Sequence, residues 1–192
     1  MYQTTQATAN SLLIGSFKLE VASSVAGVYT NVGIGRGFRF AENITPYSVQ
    51  ADNGPDPIDG VSRQTATLEF EMMEFYIPTI DAIRGTGLDL DGTASVGTWV
   101  TGGSVRTLST GGLSALNDRV FKFTNIKLVS GATVETVIVF YKSHITKGLE
   151  IASKSDNDED PVNVYPFAAE AKLDTSRTAG DQLYKIETEI GV

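Results

Sequence analysis

The chain has 192 residues, 15 basic and 23 acidic side chains for a net charge of −8, and no cysteine. Disulfide scaffolds, thiol catalysis, thiolate zinc sites and iron–sulfur clusters are therefore excluded, and the acidic balance argues against a protein that grips nucleic acid by neutralising phosphates. At 41% hydrophobic and 20% charged residues the chain can bury a core unaided, and no apolar run reaches the ~18 residues of a membrane-crossing helix.

Met1–Asn10 is polar and uncharged, without the basic and apolar regions of a secretory signal, and predicts a flexible N-terminal arm. The remainder, 11–192, reads as one mainly β domain. Phe17, Leu19 and Val21, with Leu13 before them, alternate against Lys18 and Glu20 as a first strand. A Gly-punctuated extended segment follows over 28–41, with Phe38 and Phe40 on one face, and a short run over 47–51. The stretch from Asp52 to Ser62 holds two prolines and two glycines and predicts a loop excursion, or the tip of a long hairpin. Ala66, Leu68, Phe70 and Met72 then alternate with Thr65, Thr67, Glu69 and Glu71, the pattern of a strand with one packed and one wet face.

Ile77–Arg84 is the one predicted helix, with Pro78 in its first turn and Ile80 and Ile83 at i, i+3. At two turns it must pack on the sheet. The Gly, Ser and Thr-rich stretch 91–110, which carries Trp99, predicts a loop or a loosely paired hairpin. Two strands, 120–129 and 134–141, form a hairpin through Ser130, Gly131 and Ala132. Within the first of them Ile126 and Leu128 are out of phase with Phe121 and Phe123, so a bulge near Thr124–Asn125 is expected. Val137–Tyr141 is apolar on both sides and predicts a strand covered on both faces. After an acidic turn at 153–161, Phe167, Ala169, Ala171 and Leu173 alternate as a further strand, and Tyr184, Ile186 and Ile190 mark the last.

Catalytic and ligand motifs are weak throughout. Gly33, Gly35 and Gly37 suggest a phosphate loop, but Phe38 stands where a dinucleotide fingerprint needs its last glycine, and no helix follows. Asp156–Asp160 begins like a calcium loop, yet Pro161 and Phe167 hold the positions of its glycine and its glutamate; a solvated acidic turn is the plainer reading. His144 is the sole histidine, so a two-histidine metal site within one chain is impossible. The sequon at Asn43–Thr45 carries little weight without a secretory signal, and Glu69 with Glu71 reads as a solubility device before it reads as an acid–base pair. The chain is expected to be no enzyme and to need no cofactor or metal.

The order of features is more telling. The strand Arg63–Glu71, with its Thr-Leu-Glu-Phe core, is followed by the short helix Ile77–Arg84. Later come the Phe121/Phe123 strand, the Thr136–Tyr141 strand and Tyr165–Ala171 with its Phe-x-Ala-x-Ala pattern. In this order the chain resembles the tail tube, or major tail, proteins of tailed bacteriophages, of the long non-contractile type. The resemblance implies a β-sandwich or incomplete barrel with one short helix alongside, a viral structural protein of the virion tail made in the bacterial host cytoplasm. It implies self-assembly into six-fold-like rings stacked into a hollow tube. The genome passes through the lumen at ejection without specific binding, and the partners are tape-measure, tail tip and tail terminator proteins, with no membrane. On this reading Thr65, Thr67, Glu69 and Glu71 line the lumen, their carboxylates repelling phosphates. Asp52, Asn53, Asp56, Ile58 and Asp59, with the N-terminal arm, make ring-to-ring contacts. The alternatives are the tube protein of a contractile injection machine, and a carbohydrate-binding β-sandwich that stacks sugars on Trp99.

Overall fold

The computed structural model describes residues 16–49, 58–74, 77–84, 95–96, 104–105, 117–129, 132–151 and 163–190. Its elements in chain order are β1 (Phe17–Ala22), β2 (Thr30–Val49), β3 (Ile58–Met72), α1 (Ile77–Arg84), β4 (Ser95–Val96), β5 (Ser104–Val105), β6 (Arg119–Val129), β7 (Ala132–Ile145), β8 (Tyr165–Lys172) and β9 (Tyr184–Ile190). The expected N-terminal arm, Trp99 and the acidic turn Asp156–Asp160 lie outside the described residues.

Seven strands form one antiparallel sheet in the order β6-β1-β2-β3-β8-β7-β9, and β4 pairs with β5 in a small ribbon of its own. Because β6 also pairs with β7, the ring β6-β1-β2-β3-β8-β7 comes back on itself. The sandwich-or-incomplete-barrel expectation is met in its barrel form. The closing seam between β7 and β8 is short: Ser143 pairs with Ala171, His144 with Glu170 and Ile145 with Ala169. The same edge of β7 is occupied from Val134 to Phe140 by β9.

The alternation read from β3 is the one observed. Ala66, Leu68, Phe70 and Met72 are buried in the barrel with Phe17, Leu19, Phe121, Phe123, Ile138, Phe140 and Phe167. Phe70 sits at the centre, stacked on Phe167 at 5.6 Å between ring centroids and edge-on to Phe17, Phe121 and Phe123. Side chains of this size stabilise by roughly 1.5–3 kcal/mol each on full burial. Helix α1 buries Ile80 and Ile83 against this core, the i, i+3 pair that the sequence singles out, and Arg84 in its last turn suits the helix dipole. Val139 and Tyr141 point to the other face of β7, where they join Ala22 and Val120 under Val25 and Tyr29 of the turn after β1. That strand is covered on both sides, as its composition predicts.

Three expectations need correction. The runs expected at 28–41 and 47–51 are not separate: Thr30–Val49 is one strand, β2, because β3 pairs with it from Gly35 to Val49. Pro46 is accommodated at a register shift on a strand whose other edge has no strand against it among the described residues, so its missing N–H breaks no ladder there. For the same reason Ile58–Ser62 is strand, so of the two readings of that stretch the long hairpin holds and the loop does not. The bulge expected near Thr124–Asn125 is absent. The β6–β7 register runs unbroken from Phe121–Phe140 to Val129–Ala132, and the shift lies between Arg119 and Phe121. The inward face of β7 (Val134, Thr136, Ile138, Phe140) needs an unbroken partner, so Ile126 stays outside and 58% exposed.

A different bulge bends β2. Between Arg36 and Arg39 the strand gains one residue against β3, with Gly37 at φ +65°, a backbone that L side chains seldom adopt. The bulge turns Phe38 and Phe40 inward, where Phe38 stacks on Phe123 at 4.2 Å. Just before it, the Phe17 ring covers Gly35, where a Cβ would lie 2.4 Å from that ring.

Candidate assembly surface

β2 and β3 outrun the barrel. β1 pairs with β2 only as far as Gly35, and β8 pairs with β3 only from Thr65 onward. Ala41–Val49 and Ile58–Gln64 are therefore left as a two-stranded arm, with no third strand paired to either among the described residues. All of Ala41–Val49 is exposed. Alternation puts Ile44, Pro46 and Val61 on the arm's one face and Tyr47 and Val49 on the other. Ile44, Val49 and Val61 are 54%, 54% and 55% exposed, and Tyr47 is 47% exposed. Tyr47 lies across Gly60, where a Cβ would fall 2.6 Å from its ring, which stiffens the arm by packing its one large aromatic onto its own partner strand.

At the arm's root the core face turns polar. The Glu42 carboxylate accepts hydrogen bonds from Gln64 Nε2 and, at 3.3 Å, from the Tyr184 hydroxyl. Burial and then the neighbouring Glu42 charge push the Tyr184 hydroxyl pKa up. Gln182, Leu173 and Gly180 complete an open recess there. The far edge of β9 has no strand against it among the described residues. It carries Lys185 and Glu187, paired at 2.9 Å, charges of the kind that discourage unplanned edge pairing.

The residues expected to line a lumen lie together on the outward side of β3, though not as a bare acidic face. Thr67 and Glu69 are exposed and Glu71 half-buried, whereas Thr65 is buried. The carboxylates are matched by arginines: Arg36 Nε lies 3.3 Å from Glu71 Oε2, Arg39 Nη1 3.6 Å from Glu69 Oε2, and Arg63 Nη2 2.6 Å from Glu170 Oε1. With Lys172 opposite Thr65, this face sets four cations against three carboxylates. Exposed pairs of this kind are worth roughly 0–1 kcal/mol each, so their effect is on surface potential more than on stability. Sequence reasoning missed Arg36, Arg39 and Arg63 as partners because only the cross-strand register brings them to the glutamates.

Of the residues expected at ring contacts, Asp52, Asn53 and Asp56 lie outside the described residues. Ile58 and Asp59 open β3, paired with Val49 and Ser48, and Asp59 is exposed. The structure adds Ile44, Tyr47, Val49 and Val61 to that end of the molecule. The signal available was the even-numbered phase Phe38, Phe40, Ile44, which passes to Tyr47 and Val49 across Pro46.

No protein-family model matches the chain, and no curated protein matches it. Among solved structures it is similar to the tube-terminating cap of the anti-feeding prophage, seen by cryo-electron microscopy. The TM-score is 0.45 at 9% identity, over 98% of this chain and 100% of that one. A likeness so distant carries no argument about the role of this chain.

Proposed function

We propose that this chain is a non-enzymatic structural subunit that self-assembles into stacked rings, forming the hollow tube of a phage tail through which DNA is delivered. The arm carries the reading. A two-stranded ribbon is marginal in water by itself, and this one exposes Ile44, Tyr47, Val49 and Val61 over its two faces. Such an element is stabilised by lying against a neighbouring subunit, and a ring or stack of copies supplies that neighbour at every position. The order of strands and helix that resembles tail tube proteins supports the same assignment. The outward face with Thr67, Glu69 and Glu71 is the proposed lining. Its logic is balance: each carboxylate beside an arginine leaves little net charge to hold a phosphate backbone.

Negative-stain electron microscopy of the concentrated protein tests this, with a Tyr47→Asp/Val61→Asp variant alongside. Rings or hollow tubes are expected from the parent chain. A folded monomer is expected from the variant, whose substitutions lie on the arm and leave the barrel core untouched. Tubes from the variant as readily as from the parent would remove the arm from the interface. A parent chain that stays monomeric even when seeded with tail tip complexes would remove the tube.

A further inference from the structure

The barrel ring is closed by uneven seams. The pairings β2–β3, β6–β7 and β3–β8 are long, whereas β7 and β8 meet only at Ser143–Ala171, His144–Glu170 and Ile145–Ala169. His144 stands in the middle of that seam. Its side chain is 5% exposed, and its Nδ1 lies 3.5 Å from Asp118 Oδ1. Both atoms are buried and neither has a hydrogen-bond partner among the described residues, which is an expensive arrangement unless a change of state makes use of it.

We propose that His144 is a proton-operated latch on the β7–β8 seam, holding the barrel closed when neutral and loosening the seam when protonated. An imidazolium at this place would find only counter-charges that other cations already share. Across the seam on β8, Glu170 is engaged by Arg63 of β3 at 2.6 Å. Asp118, in the segment leading into β6, shares its other oxygen with Lys142 of β7 at 3.5 Å. Lys172 of β8 adds a repelling charge. Burial first, then Lys172, hold the imidazole below its ordinary value of 6.5, against the opposing pull of Asp118 and Glu170. A parted seam wets the ring and binds the proton more tightly than the closed one. The latch therefore contributes fully above pH 6.5 and is lost as pH falls through the lowered value.

Amide hydrogen exchange of the intact chain between pH 7.5 and 5, expressed as protection factors, tests the latch. Protection of Ser143–Ile145, and of Thr146, whose N–H donates to the Ala168 carbonyl, should fall on acidification by up to about tenfold per pH unit. Protection of Leu68–Met72 should not. His144→Phe should abolish the dependence. Two milder variants separate the latch from a general loss of packing. Lys172→Gln brings the closed-seam value back toward 6.5 and should shrink the loss of protection at pH 5, whereas Asp118→Asn lowers that value further and should enlarge the loss. Seam protection that does not change with pH in the parent chain would overturn the proposal. So would a dependence that survives in His144→Phe, or a loss that changes in the same direction for Lys172→Gln and Asp118→Asn.

Discussion

Replacing Tyr141 by Phe removes one hydroxyl from a small network that ties the turn before β9 to the outer face of β7. That hydroxyl donates to Asp181 Oδ1 at 2.6 Å, Arg177 Nη2 lies 2.5 Å from Asp181 Oδ2, and the Arg177 guanidinium sits 3.8 Å over the Tyr141 ring. A hydrogen bond to a charged group contributes about 1.5–3 kcal/mol. Because Arg177 stays on Asp181 in the variant, the carboxylate is not stranded, and the lower part of that range, about 2 kcal/mol, applies. At roughly 2–4 °C per kcal/mol for a domain of this size, the midpoint of thermal unfolding should drop by roughly 4–8 °C at pH 7. The hydroxyl also gives the loss a pH signature. Burial and the bond to Asp181 push its pKa from 10.0 up to about 12, so the unfolded chain ionises first. The tyrosine's advantage is full below pH 10 and is lost as pH rises toward 12. Circular-dichroism melts of both proteins from pH 7 to 11.5 should show a gap that closes above pH 10, with contributions from the other tyrosines and the lysines cancelling in the difference. A gap that is constant to pH 11.5, or absent at pH 7, would refute the reasoning.

Phe70→Ala opens a cavity amid four other phenylalanine rings and should cost about 3–5 kcal/mol, read as a lower urea midpoint with unchanged slope. Gly35→Ala brings a methyl against the Phe17 ring and the Glu71 carbonyl and should cost about 1–3 kcal/mol. Gly148→Ala, where a Cβ meets nothing within 4 Å, should stay within about 0.5 kcal/mol of the parent chain. The two glycine variants compared in one urea series check the packing around Phe17. Glu20 is pushed up by burial, but Lys18 at 2.8 Å and Lys122 at 2.9 Å outweigh that and hold it below 4.5. Its contribution is present above pH 4.5 and lost as pH falls through the lowered value. Lys122→Met should therefore move the acid-unfolding midpoint upward in a pH titration followed by circular dichroism.

Period-2 alternation alone located the buried faces of β1, β3 and β8, because each of those strands has one side in the barrel and one outside. The i, i+3 pair Ile80/Ile83 with Pro78 fixed α1 at both ends. Where a strand departs from that simple case the sequence was silent or misleading. Ile126 is apolar and nonetheless outside, because the register of β6 is set by β7 and not by its own residues. Arg36 and Glu71 lie 35 residues apart, and nothing local to either marks the other as its partner. The arm was half legible: Asp52–Ser62 announced an excursion, but that β2 and β3 stay paired far beyond the barrel depends on where β1 and β8 end.

The closed ring has a consequence for how the chain reaches it. β2–β3 and β6–β7 are hairpins between neighbouring strands and form early, since little chain entropy is lost in bringing them together. The remaining closures are remote: Asn125 bonds the Ser16 carbonyl across 109 residues, and Arg63 reaches Glu170 across 107. Such contacts slow folding, so β1 meeting β6 and β8 meeting β3 set its pace. Until they form, β2, β3 and β6 all present open backbone edges. A newly made chain thus passes through an interval in which it can pair with another copy at the wrong strands, and crowded synthesis favours helpers that shorten that interval.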